Sequence, residues 1–212
     1  MIVKVLSNRY QFDMDEKRQT SEQIAELLVH VGRTSRSEDS RSALTAAQWT
    51  CLRFFARANG STRTPSGFAS FQATTRGTAS QTVKSLEKMG LVTGTRSDRD
   101  RRSVSFDLTD QGHKMLAQDP LRDLIEMIDT LKTADRDRFL ATISLLASTL
   151  SNRRGLPAFG TCQDCSHFGL SGDTAYCACM AEELAAVDIP KLCASYMPTP
   201  RPQSQGDQNG TD

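Results

Sequence analysis

One stretch of the sequence, residues 74–108, constrains the fold more than any other: TTRGTASQTVKSLEKMGLVTGTRSDRDRRSVSFDL. Gly90 divides it into a helical half and a β half, since glycine commonly ends helices. Two short β-compatible runs, 91–95 and 103–108, follow Gly90 with a highly charged tip between them. Apolar residues recur in the first half at the spacing of one helical face, at Ala79, Val83, Leu86 and Met89. The stretch therefore predicts a helix followed by a β-hairpin with a basic tip.

Two more helices are predicted just before this stretch. Thr45 and Gln48 have the spacing of a capping box, so a helix should begin there. Its apolar face is marked by Trp49, Leu52, Phe55 and Ala56. Thr64 followed by Pro65 is a strong start for a short helix, because threonine caps free amides and proline has no amide to satisfy. This order of elements is the sequence form of a winged helix-turn-helix, a mainly α fold with a small β-hairpin wing.

Further helices flank this unit at both ends. Thr20 and Gln23 form another capping-box pair, so we expect a first helix from there, preceded by a flexible extension over residues 1–19. Helices are also predicted after the hairpin, through Gln111 and Met115, from Asp119, and through Phe139, Ile143, Leu146 and Leu150. We therefore expect one winged-helix domain over residues 20–152.

The net charge of +1 conceals an uneven distribution. Between residues 76 and 102, seven Lys or Arg stand against three acids, whereas between 161 and 212 two stand against seven. The chain therefore combines a basic face with an acidic tail. No apolar run approaches the roughly 18 residues of a membrane span, and the opening MIVKVLSNRY lacks the features of a signal peptide. We expect a cytoplasmic protein with no membrane partner.

The outward face of the helix in 74–108 is suited to double-stranded DNA. Gln81 can pair bidentately with adenine, and cations such as Lys84 neutralise phosphates. The predicted contacts are Thr75, Arg76, Ser80, Gln81 and Lys84 on the helix and Arg99, Arg101 and Arg102 at the hairpin tip. The plainer interpretation is that these are solvated charges on a helix and a turn. The coincidence of a helix-turn-helix, a correctly ordered hairpin and a basic tip favours DNA binding.

These residues resemble the MarR-type transcriptional regulators. The motifs are LTAAQWTCL, the run from 75 to 92 that ends in LEKMGLV, the wing SDRDRRS and the exit LTDQGHKML, within a resemblance that covers about residues 20–150. It implies a homodimer with a helical dimerisation layer, often a repressor that responds to a small molecule or an oxidant. It also implies that Asp98 and Asp100 shape the wing while Arg99 or Arg101 contacts DNA.

The apolar faces outside the helix-turn-helix exceed what a compact winged helix needs. They lie in residues 24–31 and 121–150. Either they cover each other within one chain, or they meet the same helices of a second copy. A protein that binds paired half-sites needs two-fold symmetry, which long terminal helices can supply. The sequence therefore favours a homodimer.

Five cysteines are clustered after the last helix, with the spacing Cys162-x2-Cys165-x11-Cys177-x-Cys179-x13-Cys193. In a reducing compartment such thiols more often bind metal or sense redox state than form structural disulfides. Tetrahedral zinc takes four thiolates, two of them typically from a C-x-x-C turn. Cys162 and Cys165 are that pair, and Cys193 with either Cys177 or Cys179 would complete the site.

Two other interpretations of the cysteines stay open. An iron-sulfur cluster uses the same four-cysteine ligation, and redox thiols that bind no metal are the other alternative. A fifth thiol favours a redox-active site, since a thiol beside a cluster or a zinc ion could resolve an oxidised partner. His167 is an alternative ligand, although a surface histidine is the plainer interpretation. Cys51 stands apart from the others and is expected to be a small buried residue of the second helix.

The cysteines define a separate module over residues 156–197. It has few large apolar groups for its length, so it needs a staple such as a metal ion to fold. A short helix is expected over 182–187, and the segment 198–212, rich in Pro, Gln, Gly and Asp, is expected to be disordered.

Two functional hypotheses follow from the sequence. In the first, a dimeric transcriptional regulator changes the spacing of its two DNA-binding lobes with the metal or redox state of the cysteine cluster. In the second, the zinc-stapled module only binds another protein. An enzyme is not expected, because the sequence has no phosphate-binding glycine loop, no His/Glu metal pair on a helix and no nucleophile beside a base.

Overall fold

The structure is a computed structural model, which describes residues 2–35, 42–96, 104–172 and 174–199 and the side chains of the first helix from Lys17 onward. Seven α-helices lie in these ranges: α1 Ile2–Thr34, α2 Ala46–Arg57, α3 Pro65–Phe71, α4 Arg76–Lys88, α5 Asp110–Leu116, α6 Leu121–Asp129 and α7 Thr133–Arg153. The strands are β1 Val92–Arg96, β2 Val104–Leu108, β3 Phe168–Ser171, β4 Thr174–Cys177 and β5 Glu182–Glu183. The fold is mainly helical, and the antiparallel pair β1–β2 forms its wing.

Threonine side chains begin four of these helices, and the sequence predicts two of these caps, at Thr45 and Thr64. The hydroxyl of Thr45 accepts from the amide of Gln48, whose side chain bonds back to the Thr45 amide. Thr64, Thr75 and Thr109 cap α3, α4 and α5 in the same way. Each cap satisfies an amide that would otherwise have no partner in the first turn. At the other end of α4, Gly90 adopts a φ of 70°, a conformation that favours glycine.

Two local predictions were wrong. The first helix begins at Ile2 and not at Thr20, so the capping-box spacing at Thr20 lies inside a helix. Residues 2–19 contain neither glycine nor proline, and their irregular apolar pattern concealed their helical backbone. The expected helix over 182–187 is instead a short strand: β5 pairs with β4, and the Leu184 amide donates to the Ala175 carbonyl at 2.7 Å.

The hydrophobic core lies where α2, α3, α4 and the wing meet. Its largest fully buried side chains include Leu52, Phe54, Phe55, Phe68 and Leu86. Cys51 is also fully buried, and burial raises the pKa of its thiol, so it is the small core residue that the sequence suggests. Deletion of such large core side chains is costly because the surroundings collapse only partly. The core therefore fixes the position of α4 against α2 and the wing.

Within the described residues, no helix is both long enough and apolar enough to cross a membrane.

Candidate nucleic-acid interface and cysteine cluster

Helix α4 buries one face and exposes the opposite one. Ala79, Val83 and Leu86 are buried in the core. Gln81 and Lys84, which lie on the opposite face of the helix, are exposed. A helix held in this way presents its polar face to a partner without moving. This is the geometry that entry into a DNA major groove requires.

The five predicted contacts on α4 differ in their surroundings. Arg76, Gln81 and Lys84 are exposed, whereas Ser80 is half-buried at the edge of the outward face. Thr75 is exposed, but its hydroxyl is already engaged in capping the helix: it accepts a hydrogen bond from the Thr78 amide at 3.2 Å. Thr75 therefore orients the helix, and Arg76, Gln81 and Lys84 are the side chains of this set with the freest access to a ligand.

Lys88 was not among the predicted DNA contacts, although it is exposed and lies on the same face of α4 as Lys84. Its position four residues after Lys84 could have predicted this, because residues i and i+4 share a helical face. Lys88 extends the basic face of α4 by one turn.

The tip of the wing lies outside the described residues, and with it Arg99, Arg101, Arg102, Asp98 and Asp100. Their predicted roles stay predictions. The base of the wing is described: β1 and β2 pair from Val92 with Leu108 to Arg96 with Val104.

Arg63 ties the base of the wing to the turn between α2 and α3. Its guanidinium forms an ion pair with Asp107 on β2, and its carbonyl accepts from the Phe106 amide at 2.8 Å. The Phe106 ring packs on Phe55 of α2 with centroids 5.6 Å apart. The wing and the helix-turn-helix are therefore held in one relative orientation. Sequence patterns gave no signal for this role of Arg63, since Asp107 lies 44 residues away.

The cysteine-rich segment folds as a small unit, residues 156–199, hereafter the C-terminal unit. It contains a short 3-10 helix at Cys162–Asp164 and the three-stranded antiparallel sheet β3–β4–β5. Burial raises the pKa of the Cys162 thiol, and the neighbouring Cys193, Cys177 and Cys165 raise it further, followed by Asp188. The backbone pairs Cys177 with Phe168 and bonds the Cys193 amide to the Gly160 carbonyl, so these two cysteines lie near Cys162 and Cys165, whereas Cys179 is exposed.

No three His, Cys, Asp or Glu side chains in the part of the chain that the structure describes already surround a point where an ion would sit. As placed, the four neighbouring thiols do not form a metal site. His167 is half-buried, and its carbonyl accepts from the Ala178 amide at 2.8 Å.

The C-terminal unit packs directly against the helix-turn-helix. The Leu192 amide donates to the Arg57 carbonyl at 2.8 Å, and the Asn59 amide donates to the Leu192 carbonyl at 2.9 Å. The Ala194 amide donates to the hydroxyl of Thr62, a buried residue, at 2.8 Å. These bonds join residues next to Cys193 to the turn that leads into α3.

Aromatic side chains extend this contact. The Phe159 ring packs edge-on against Phe71 of α3, with centroids 5.2 Å apart, and lies 6.4 Å from the ring of Phe54. The Leu192 side chain is partly buried against the core. The C-terminal unit is therefore attached to the end of α2 and to α3, and not only to the end of α7.

Helices α1, α6 and α7 leave their apolar faces uncovered. None of their described side chains is buried. Exposed large apolar residues on them include Ile24, Leu27, Ile125, Phe139, Leu140, Leu146 and Leu150. The interpretation that these faces cover each other within one chain is therefore wrong. Just before the start of α6, the Arg53 guanidinium forms a buried ion pair with the Asp119 carboxylate, with the nitrogen and oxygen atoms 2.7 Å apart. This ion pair holds the start of α6 against the core.

Comparisons with known proteins agree with the fold. The MarR family model matches residues 44–103. A MarR family transcription regulator of known crystal structure superposes on this chain with a TM-score of 0.53 and 15% sequence identity. The superposition covers 68% of this chain and 97% of that chain. The transcriptional regulator BldR from Sulfolobus solfataricus is 23% identical and covers 64% of this chain and 97% of its own, with a TM-score of 0.49.

The transcriptional repressor CouR, solved bound to a 23-mer DNA duplex, is 24% identical, with coverage of 59% of this chain and 89% of that chain and a TM-score of 0.46. No curated protein matches the chain in sequence. The family match covers α2, α3, α4 and β1, and therefore includes the exposed polar face of α4. In this part of the chain the sequence is similar to the MarR family, and the solved structure with a TM-score of 0.53 shows the same fold.

Proposed function

We propose that the chain is a sequence-specific transcriptional regulator of MarR type, and that it represses transcription by binding an operator in double-stranded DNA. The exposed polar face of α4 is the observation that supports this most directly, because Gln81 and Lys84 lie opposite the face that is fixed in the core, and Arg76 is exposed at the first residue of the helix. Side chains near the start of a recognition helix contact base edges, and cations contact phosphates. Repression is the direction that the family resemblance favours.

The protein is proposed to act as a homodimer. The uncovered apolar faces of α1, α6 and α7 would be costly to leave in water, and a second copy can cover them with the same surfaces. Two-fold symmetry would then place two copies of α4 on successive major grooves, about 34 Å apart. Sedimentation at micromolar concentration should give twice the chain mass, and a monomer would contradict the proposal.

Selection of bound duplexes from a random DNA pool tests DNA recognition. We expect an inverted repeat to emerge, and Gln81→Ala should relax the preference at one position in each half-site. Glu87→Gln is a matched control, because Glu87 is exposed on the same helix but lies towards its edge. The absence of any enriched sequence would contradict sequence-specific binding.

We further propose that the C-terminal unit binds a metal, with zinc as the leading assignment and an iron-sulfur cluster as the alternative, and that its state modulates DNA binding. The bonds of Leu192 and Ala194 to the turn between α2 and α3 support this modulation. A change at Cys193 would alter residues that hold this turn, which leads directly into α3 and α4. Equal operator affinity of the metal-bound, metal-free and oxidised protein would contradict it.

The alternative is that the C-terminal unit is a protein-interaction module whose metal only keeps it folded. Its exposed acidic residues, such as Glu183, favour this alternative. Deleting the unit does not separate the two functions cleanly, because deletion also removes the partner of the buried Thr62 hydroxyl. Charge reversal at Glu183 is cleaner: a recruiting surface would lose its partner while the response to metal stays intact.

A small-molecule effector is proposed to bind in a cleft beside the helix-turn-helix. A cleft of about 330 Å³ lies between α3, α7 and the C-terminal unit, lined in part by Phe71, Ile143 and Phe159. A ligand there would touch both the helix-turn-helix and a helix proposed to lie in the dimer interface. A redox effector acting at the thiols is the other candidate.

A further inference from the structure

Cysteines form the interior of the C-terminal unit. Three of its described side chains are buried, and all three are cysteines: Cys162 at 6%, Cys177 at 8% and Cys193 at 7% exposure. None of the larger apolar side chains of the same unit is fully buried, and two of them, Leu170 and Val187, are exposed by 73% and 65%. A segment of this length without an apolar core needs another source of stability. The thiols occupy the place that apolar side chains would fill.

The backbone brings four cysteines to one place from three directions. Cys162 and Cys165 share a tight turn, in which the Cys165 amide donates to the Cys162 carbonyl at 3.1 Å. Cys177 on β4 pairs with Phe168, three residues after Cys165. The Cys193 amide donates at 3.0 Å to the carbonyl of Gly160, two residues before Cys162. The two later cysteines are therefore each paired with backbone that flanks the first pair.

The surroundings of Cys165 favour its thiolate form. The Met197 amide donates to the sulfur of Cys165 at 3.5 Å, and a hydrogen bond to sulfur stabilises its negative charge. Neighbouring thiolates repel one another, and a bound cation removes this repulsion.

Cys179 lies outside this arrangement. It is exposed, and it falls in the turn after β4, past the last residue that pairs with β3. The choice between Cys177 and Cys179, which the spacing left open, is therefore made by strand register and burial.

We propose that Cys162, Cys165, Cys177 and Cys193 form a closed four-thiolate site for one zinc ion, and that Cys179 is not a ligand. Soft thiolates select zinc, copper(I) or iron over magnesium and calcium, and a closed tetrahedral site is typical of structural zinc. An iron-sulfur cluster would use the same four-cysteine ligation, and visible absorption distinguishes it from zinc. The inference rests on the proposal that this unit binds metal and not on DNA binding, so metal analysis tests it separately.

The experiment compares two substitutions that lie two residues apart in the full-length protein purified without oxygen. We expect about one zinc per chain in the unsubstituted protein and in Cys179→Ser, and loss of nearly all zinc in Cys177→Ser. Equal zinc loss in both variants would overturn the ligand assignment. Iron and sulfide with visible absorption would overturn the choice of metal.

Thiol alkylation of the unsubstituted protein provides a test that needs no substitution. Cys179 should react at once, and the four proposed ligands should react only after a zinc chelator is added. Cys165 is the most informative position, because it is only half-buried and burial alone would not protect it. Rapid alkylation of Cys165 before chelation, or two disulfides among the four cysteines, would overturn the site. Either result would leave the proposal that the winged helix binds DNA unaffected.

Discussion

The winged helix and the C-terminal unit are held together in opposite ways. Around α2 and α4 the interior is apolar, with phenylalanine and leucine side chains such as Phe54 and Leu52 fully buried. In the C-terminal unit the buried side chains are thiols, while Leu170 lies in solvent. Apolar burial stabilises about 25 cal/mol per Å², so the first region has an apolar core that stabilises it, whereas the second is proposed to depend on a metal bound by its thiols.

Metal removal is expected to have the largest effect, because it should unfold the C-terminal unit and leave the winged helix folded. Structural zinc contributes on the order of 10 kcal/mol to folding, more than a small unit without an apolar core can replace. After chelation we expect the amides of Cys193 and Leu184 to lose protection in hydrogen exchange, while those of α2 keep it. Protection that is unchanged in both regions would show that the thiols do not need a metal.

A leucine in each region provides the second comparison. Leu52→Ala should destabilise the winged helix by about 2–5 kcal/mol in urea unfolding, because its side chain is fully buried and leaves a cavity. Leu170→Ala should change stability by about 0.5 kcal/mol or less, since the side chain is exposed. Similar effects of the two substitutions would contradict the contrast between the two interiors.

The junction between the regions should show an intermediate effect. Thr62→Val keeps the shape of the side chain but removes the acceptor of the Ala194 amide, so we expect a loss of about 1–3 kcal/mol. Faster hydrogen exchange at Ala194 would locate the loss at the junction. Thr93→Val in the exposed part of β1 is the matched control and should leave this amide unchanged.

The smallest effect is expected at the end of α4. Lys88→Ala should weaken operator binding similarly for all sequences, and the slope of log affinity against log salt should fall by about 1 if Lys88 contacts a phosphate. An unchanged slope would place Lys88 outside the interface.

The parts of the fold that could be predicted from sequence depend on local chemistry. Thr45 and Thr64 begin helices through bonds to amides three residues away, a spacing visible in the sequence. The start of α1 was missed because a capping-box spacing also occurs inside that helix. Local patterns predict where an element is possible, and packing decides how far it extends.

The candidate sites show the same limit. The outward position of Gln81 follows from helical periodicity, and the C-x-x-C pair follows from spacing. The selection of Cys177 over Cys179 depends on the register between β3 and β4, and the bond from Ala194 to Thr62 spans 132 residues. In sequence order α5, α6 and α7 lie between the winged helix and the cysteines. The direct contact between them could not be inferred from this order.

We propose that a metal-held C-terminal unit supports the turn that positions α3 and α4. The most direct test measures the affinity of the protein for its selected DNA sequence by fluorescence anisotropy, with zinc bound and again after zinc removal has been verified by metal analysis. We expect the Kd to rise by about tenfold, which corresponds to about 1.4 kcal/mol, and to recover when zinc is restored. An identical Kd in both states would contradict the claim and leave the zinc a purely local staple.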